Sequence, residues 1–370
     1  MRGEEEAIAT LRRVTFAALA GWPQDDHRAA LQAFRRSAAV VAAAPPKTRR
    51  LNIAGAAVVR AAQAALALPG PLERSAAQAF FEDNFAPYDV HPPKGRGFFT
   101  GYYEPVVAGS LARAPGFTVP LYRRPPDLAD VDDANRPAGW DPEIRFARRT
   151  AAGLSEFPDR RAIEAGALAG QGLELVWLND PVDVFFIHIQ GSARVRLADG
   201  RTIRLTFDGK SGHPYTAIGK VLIDRGEIAR ADVTMASIRA WLSAHPNDAP
   251  GVMAENRSFI FFKEIAVADP ALGPVAAAGV ALTPGRSLAV DRTLHTFGSP
   301  VWVETEAPDG PFRRLMFADD TGSAILGPAR GDIFFGTGDA AAALAGAMKS
   351  PGRFVLLVPR QLNLPGEVVL

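Results

Sequence analysis

Three short apolar runs near the C-terminus each carry an aspartate at or close to one end. Asp291 follows Leu288-Ala289-Val290, Asp319-Asp320 follow Leu315-Met316-Phe317-Ala318, and Asp332 precedes Ile333-Phe334-Phe335. Runs this short, bounded by Gly, Pro and Asp, predict strands. A carboxylate in apolar company is costly unless it is paired, hydrogen-bonded or protonated. A carboxyl group kept protonated can act as a general acid. Single aspartates of this kind also serve as turn residues at strand ends. Three of them between Leu288 and Gly338 point to a site.

Two other stretches have the residue types to bind a ligand. Thr100-Gly101-Tyr102-Tyr103-Glu104-Pro105 lies in a Gly-rich, aromatic, strand-like segment. Adjacent tyrosines on a strand face opposite sides, so one of the pair can reach a cleft. A tyrosine ring stacks on a sugar face and its hydroxyl adds a directed hydrogen bond. Core or strand-edge packing explains the same pattern. The second stretch, Gln190-Gly191-Ser192, closes the apolar run VDVFFIHI from Val182 to Ile189, which predicts a deeply buried strand.

Other motifs lead elsewhere or nowhere. Asp320-Thr321-Gly322-Ser323 reproduces the aspartic-peptidase signature, but those enzymes set two such aspartates side by side and this chain has one copy. Gly209-Lys210-Ser211 resembles the end of a phosphate loop, yet Arg204 stands where its first glycine belongs. Gly170-Gln171-Gly172 precedes a strand, which is wrong for a dinucleotide fingerprint. His27, His91, His188, His213, His245 and His295 are scattered without metal-ligand spacing. His188 reads as a core residue, whereas His213 and His295 border loops and are open to a site role. No metal or cofactor is expected.

The elements that must position these residues follow from the pattern. The chain has 370 residues, more than one core usually organises, so two domains are expected. Hydrophobic residues make up 48% and charged residues 22%, the balance of an ordinary globular protein. The net charge of +1 comes with no basic block, which argues against nucleic acid as a partner. Thirty prolines and 34 glycines favour turns and short strands. The absence of cysteine excludes disulfides, zinc-thiolate sites and a thiol nucleophile.

Residues up to about 90 predict helices, with Asp25-Asp26 capping one that carries Leu31, Phe34, Ala38 and Val41 on one face. A second covers Ala56–Leu68, and a third opens at Pro71. Residues 124–160, rich in Pro, Asp and Arg, predict a long surface loop. Strands are expected over Leu173–Leu178, in a hairpin turning at Ala198-Asp199-Gly200-Arg201, over Phe259–Phe262 and over Phe354–Val358. Helices are expected over Thr216–Ile228, Met235–His245 and Gly338–Lys349. No apolar run is long enough for a membrane span. Glu4-Glu5-Glu6 carries the wrong charge for the start of a signal peptide, so neither a signal peptide nor a lipobox is read in the chain.

Taken in order, Thr100–Pro105, Phe186–Ser192 and the region of Asp291, Asp320 and Asp332 resemble the membrane-bound lytic transglycosylase A family of peptidoglycan-cleaving enzymes. The C-terminal part of that family is named for three aspartates. The resemblance implies a mainly β fold with an α-helical N-terminal part. A double-psi β-barrel would be built from residues 1–103 and 256–370, with a second β-barrel inserted over 104–255 and a deep groove between them. It implies that Asp332 is the catalytic acid and base and that Asp320 and Asp291 support it, while Asp319 matches no family aspartate. Thr100, Gly101, Tyr102, Tyr103, Gln190, Gly191 and Ser192 would bind substrate. The implied reaction cleaves the β-1,4 bond between N-acetylmuramic acid and N-acetylglucosamine, leaving a 1,6-anhydromuramoyl end. The implied partner is a peptidoglycan glycan strand and the implied location periplasmic, with outer-membrane association. A non-catalytic glycan-binding envelope protein and an aspartic peptidase working through Asp320 are the alternatives.

Overall fold

A computed structural model of the protein describes residues 7–142 and 144–370. Glu4-Glu5-Glu6 lies outside the described residues. The chain divides into two compact units, one running up to Tyr103 and resuming over Pro270–Leu370, the other Glu104–Asp269.

The first unit opens with strand β1 (Thr10–Arg13), three helices α1 (His27–Ala43), α2 (Gly55–Ala67) and α3 (Arg74–Asn84), then β2 (Phe85–His91) and β3 (Gly97–Glu104). The second unit contains β4 (Val106–Gly109), β5 (Val119–Tyr122), β6 (Leu128–Asp130), β7 (Phe146–Thr150), β8 (Gly153–Ser155), the single turn α4 (Arg160–Ala162) and β9 (Glu174–Leu178). It continues through α5 (Pro181–Gln190), β10 (Ser192–Leu197), β11 (Thr202–Lys210), α6 (Ile218–Asp224), α7 (Met235–Ala244), α8 (Ala249–Ala254) and β12 (Ile260–Ile265). The first unit is completed by β13 (Ser287–Val290), β14 (Pro300–Ala307), β15 (Gly310–Asp320), β16 (Arg330–Thr337), α9 (Asp339–Ala347), β17 (Lys349–Pro359) and β18 (Glu367–Val369).

In the first unit the strand order is β14-β15-β13-β16-β3-β17, and β17 also pairs with β14. Six strands therefore close on themselves, and closure removes the unpaired edges an open sheet would leave. The alternation of side chains builds two cores from the same strands. Val301, Val303, Met316, Ala318, Phe354 and Leu356 point to the inner core. Their neighbours Trp302, Leu315, Phe317, Val355 and Leu357 point outward under the helices. There Phe34 of α1 stacks on Phe317 at 5.3 Å between ring centroids, and Trp22 meets Trp302 edge-on at 5.1 Å. Strands with one face in a barrel and the other under helices are apolar throughout, which is why these runs lack polar alternation.

The helical layer is fastened by polar contacts as well. Asp26 caps α1 by accepting from the Ala29 amide at 3.0 Å. Asp25 faces the barrel, accepting from both terminal nitrogens of Arg286 at 2.7 and 2.9 Å and from the Leu315 amide at 3.0 Å. Asp319, 2% exposed, accepts from Ser37 of α1 and Ser287 of β13, each at 2.7 Å. Burial pushes its carboxyl up to about 7 against the pull of those two hydroxyls.

In the second unit β12-β11-β10-β4 form one sheet and β5-β9 a ribbon. Bridges at Arg123↔Phe262 and Ser110↔Trp177 join the ribbon to the sheet at both seams, so these six strands also form a ring. Pairing of β12 with β11 from Arg204↔Ile265 to Lys210↔Ile260 keeps residues up to Asp269 in this unit. The return to the first unit thus comes after the boundary near 255 expected from sequence. Residues 124–160, expected as one long loop, carry the small sheet β6-β7-β8.

The run VDVFFIHI, expected as a strand, lies in helix α5. Asp180 caps it by accepting from the Val182 amide at 2.8 Å, Pro181 occupies its first turn, and Gly191 ends it at φ 74°. Val184 and Ile187 pack into the barrel core, while Val182, Phe185 and Phe186 pack against α6, α7 and α8. A helix buried on both sides has no polar stripe, so its period is hidden. His188 is buried in this helix, and Arg160 donates to its Nδ1 at 3.1 Å.

Glu104, with no exposed surface, opens the second unit between two cations. Arg194 Nε lies 2.7 Å from one carboxylate oxygen and Arg204 Nε 2.7 Å from the other. Removing one member of such a buried set costs roughly 3–5 kcal/mol, because the remaining charges stay desolvated. Glu104→Ala is expected to lower stability by about that amount in urea unfolding, and a loss below about 1 kcal/mol would contradict the role. Asp319 gives a pH prediction. Its folded value lies above the ordinary carboxyl value, so its contribution to stability is full at low pH and falls as pH rises towards about 7. Asp319→Asn, which cannot ionise, should therefore gain on the wild type between pH 4 and pH 8. Parallel urea titrations check this, and a difference independent of pH would refute it.

Candidate active site

Strand β13 lies between β15, to which it is parallel, and β16, to which it is antiparallel. Ala289 is paired on one side with Asp320 and on the other with Asp332. The two aspartates are thus two strand spacings apart, roughly 9–10 Å along the sheet between backbones. Asp291 follows at the end of β13, where the chain turns.

Asp332 is the third residue of β16 and lies inside the strand, with the buried Ile333 and Phe334 after it. The Thr100 hydroxyl, on neighbouring strand β3, donates to its Oδ1. Thr100 Oγ1 in turn accepts from Arg330 Nη2 at 2.6 Å. Burial pushes the Asp332 carboxyl above its ordinary value; Arg330 and the Thr100 hydroxyl pull it back, and Asp320 pushes it up further. A carboxyl in this setting is inclined to hold its proton and still has donors ready for its anion.

Asp320 has a different environment. Its Oδ2 accepts from the Tyr102 hydroxyl at 2.9 Å and its Oδ1 from the Ala277 amide at 3.2 Å. Burial raises its value, opposed by the Thr321 and Ala277 amides and by Tyr102. The Tyr102 phenol is pushed well up by burial and by Asp320, so it stays a donor. Its ring packs 5.2 Å from that of Phe334. Asp320 therefore bonds a tyrosine and backbone amides, unlike a peptidase aspartate sharing a proton with its twin.

Asp291 works on the loop. Its Oδ1 accepts from the Thr293 amide at 2.9 Å and hydroxyl at 2.6 Å, and its Oδ2 accepts from the Gly327 amide at 2.8 Å. Gly327 lies three residues before β16, so Asp291 ties the turn after β13 to the approach of the strand that carries Asp332. His295, open to a site role on sequence, is 2% exposed, packs beside Phe354 and donates from Nε2 to the Pro328 carbonyl at 2.9 Å. Burial pushes it down to about 4, so it remains neutral. His213 is likewise buried, bonding the Phe157 carbonyl at 2.6 Å in the second unit.

Thr100, Tyr102, Asp320 and Asp332 thus converge within the first unit. Gly101, between the first two, has no room for a side chain: a Cβ there would meet the Phe335 ring at 2.6 Å and the Ala345 backbone at 2.8 Å. Tyr103 points the other way and is 6% exposed. Gln190, Gly191 and Ser192 belong to the second unit, at the junction of α5 and β10. Gln190 ends the helix, Gly191 is its left-handed cap and Ser192 is buried opposite Thr206. Among the described residues no cluster of three or more His, Asp or Glu could hold a metal ion.

Arg330 was not picked out on sequence. Its signal was available: residues two apart on a strand share a face, so a strand containing Asp332 places Arg330 beside it. What sequence lacked was the neighbour, β3, that brings Thr100 between them.

Residues 98–263 match the MltA specific insert domain and residues 286–358 match the 3D domain. Membrane-bound lytic murein transglycosylase A of Escherichia coli K12 is 34% identical over 268 residues, which are 70% of this chain. The chain spans 65% of the length of that curated relative. The crystal structure of a membrane-bound lytic murein transglycosylase from Agrobacterium tumefaciens is similar at 42% identity and a TM-score of 0.88, covering 95% of this chain and 98% of that one. E. coli MltA with bound chitohexaose is similar at 28% identity and a TM-score of 0.61, covering 82% and 83%. Among the described residues no helix is long and apolar enough to cross a membrane. With both characteristic domains in order and a close match along nearly the whole chain, the protein belongs to the MltA family.

Proposed function

We propose that this protein is a lytic murein transglycosylase, cleaving the β-1,4 bond between N-acetylmuramic acid and N-acetylglucosamine with Asp332 as its single acid and base. The observation that carries the proposal is the setting of Asp332: a carboxyl raised by burial, oriented by Thr100, on a strand of the 3D domain. Relatives named lytic murein transglycosylases, and one bound to chitohexaose, support a glycan as the ligand.

The chemistry balances with one carboxyl group. Asp332 gives its proton to the glycosidic O4 as the C1–O4 bond breaks, and N-acetylglucosamine leaves as an alcohol. The muramoyl C6 hydroxyl attacks C1, a C1–O6 bond forms, and its proton returns to Asp332. No water is consumed and the enzyme ends as it began. Glycosidases that transfer the sugar to water use two carboxyl groups about 5–10 Å apart. Asp320 is poorly suited to that second role, because Tyr102 and the Ala277 amide engage its two oxygens. A general acid contributes about a hundred- to ten-thousandfold. Placement of the C6 hydroxyl and stabilisation of positive charge at C1 supply the rest.

Asp320 and Asp291 hold the scaffold, and Thr100 holds the acid. Within the first unit, glycan contacts fall to the face of the β3 strand that carries Thr100 and Tyr102. Peptidoglycan as substrate implies a periplasmic location, and the membrane-bound relatives support association with a membrane.

Asp332→Asn is expected to keep the fold and lose at least a hundredfold in release of anhydro-muropeptides from sacculi, measured by mass spectrometry. Hydrated reducing ends from the wild type would instead make it a hydrolase. Binding of sacculi with no release would make it a glycan-binding protein.

A further inference from the structure

The hydrogen bonds around Thr100 assign a direction to the proton on Asp332. Thr100 Oγ1 has two side-chain partners, the Arg330 guanidinium and Asp332 Oδ1. A guanidinium only donates, so Arg330 takes a lone pair of the hydroxyl. The hydroxyl's one hydrogen then goes to Asp332 Oδ1. That oxygen accepts, and the proton of the neutral acid sits on Oδ2.

Arg330 is itself held in place. Its guanidinium lies 5.5 Å over the Phe98 ring, and Nη1 donates to the Gly331 carbonyl and, at 3.4 Å, to that of Phe98. Phe98 and Thr100 are two apart on β3, and Arg330 and Asp332 are two apart on β16. Two same-face pairs on adjacent strands therefore interlock, and the charge cannot swing away without breaking several contacts.

We propose that Arg330 is a positioning residue for the reaction: acting through Thr100, it fixes which oxygen of Asp332 carries the proton and supports the anion left after the first transfer. This rests on the transglycosylase assignment of Asp332, and it extends that assignment to Arg330, which has no role in it. An acid that must also serve as base needs a proton of intermediate hold and a fixed exit direction. Burial alone gives too tight a hold; the cation relayed through a hydroxyl offsets it.

The charged and titratable groups facing Asp332 are Arg330 from its own strand and Asp320 from β15, with Tyr102 of β3 bonded to Asp320. Arg330 and Thr100 favour the anion, whereas Asp320 disfavours it. Loss of either Arg330 or Thr100 should therefore raise the pH at which Asp332 titrates. Because the first step needs the protonated acid, the alkaline limb of activity should move the same way.

The test is a carboxyl-carbon NMR titration of the full chain, with Asp332 assigned by its disappearance in Asp332→Asn. Wild type is compared with Arg330→Gln, Thr100→Val and Thr100→Ser, each checked for folding by circular dichroism. The titration midpoint should rise in Arg330→Gln and Thr100→Val and stay at the wild-type value in Thr100→Ser. Release of anhydro-muropeptides should fall about tenfold or more in Thr100→Val, since loss of alignment is costly. It should recover in Thr100→Ser, and in Arg330→Gln its alkaline limb should lie at higher pH. Unchanged Asp332 midpoints in Arg330→Gln and Thr100→Val would overturn the proposal, as would an equal loss of activity at every pH. If the wild type releases no anhydro product, the assigned reaction fails, while the titration still decides the relay.

Discussion

The geometry of the site depends on one short strand. β13 is four residues long, all buried, and it is parallel to β15 and antiparallel to β16. Its pairing brings the end of β15 and the start of β16 to the same height at Ala289. A slip of one residue on either side would turn Asp320 or Asp332 to the opposite face. Register is held by more than backbone bonds. Ser287 at the head of β13 bonds Asp319, and Asp291 at its tail bonds Thr293 and Gly327. A charged or hydrogen-bonded anchor stands at each end of the strand that aligns the other two.

Closure of the barrel does the same for the remaining member. β17 pairs with β3 through Lys349–Gly352 and with β14 through Gly352–Leu356, so one long strand spans the gap between them. That pairing holds β3 beside β16 and thereby puts Thr100 next to Asp332. The glycines mark where backbones come closest. Gly352 meets the carbonyl of Glu304 and the Phe99 ring, and Gly101 meets Phe335 and Ala345; neither could carry a side chain without displacing a strand. The helices add weight from outside, through Phe34 on Phe317 and through Asp25 on Arg286, so that the strand faces away from the inner core are covered as well.

What sequence made legible follows from how strongly each residue's surroundings are local. Strands with Gly or Pro at their ends, the β10–β11 hairpin and helix α1 with its Asp26 cap depend on neighbours within a few residues, and they lie close to where periodicity puts them. Helix α5 reads as a strand because its partners are distant: one face meets barrel strands and the other meets α6–α8, so Asp183 alone breaks the apolar run before His188. The segment 124–160 reads as loop because its strands are only three to five residues long, which local pattern does not separate from coil. Asp319 and Asp320 are adjacent in sequence yet differ entirely in partners, two serines for one and a tyrosine with backbone amides for the other. A bulge separates them: the register of β15 against β13 shifts between Leu288 and Ala289, leaving Asp319 as an extra residue beside Ser287 and Asp320 opposite Ala289.

In the proposed reaction, a single carboxyl group that must first lose and then regain a proton is constrained from both sides. Burial without donors would leave Asp332 neutral and unable to release its proton to a weakly basic glycosidic oxygen. Full pairing with an arginine would leave it ionised and without a proton to give. The arrangement around it lies between these limits, because the cation reaches the carboxylate through the Thr100 hydroxyl instead of touching it. Asp320, facing the same space from the other side of Ala289, opposes ionisation while its own oxygens are taken up by Tyr102 and Ala277. The second aspartate thus acts as a fixed field on the first. The three aspartates differ by their hydrogen bonds: Asp291 ties the loop, Asp320 bonds Tyr102 and Ala277, and Asp332, the proposed acid and base, accepts from Thr100.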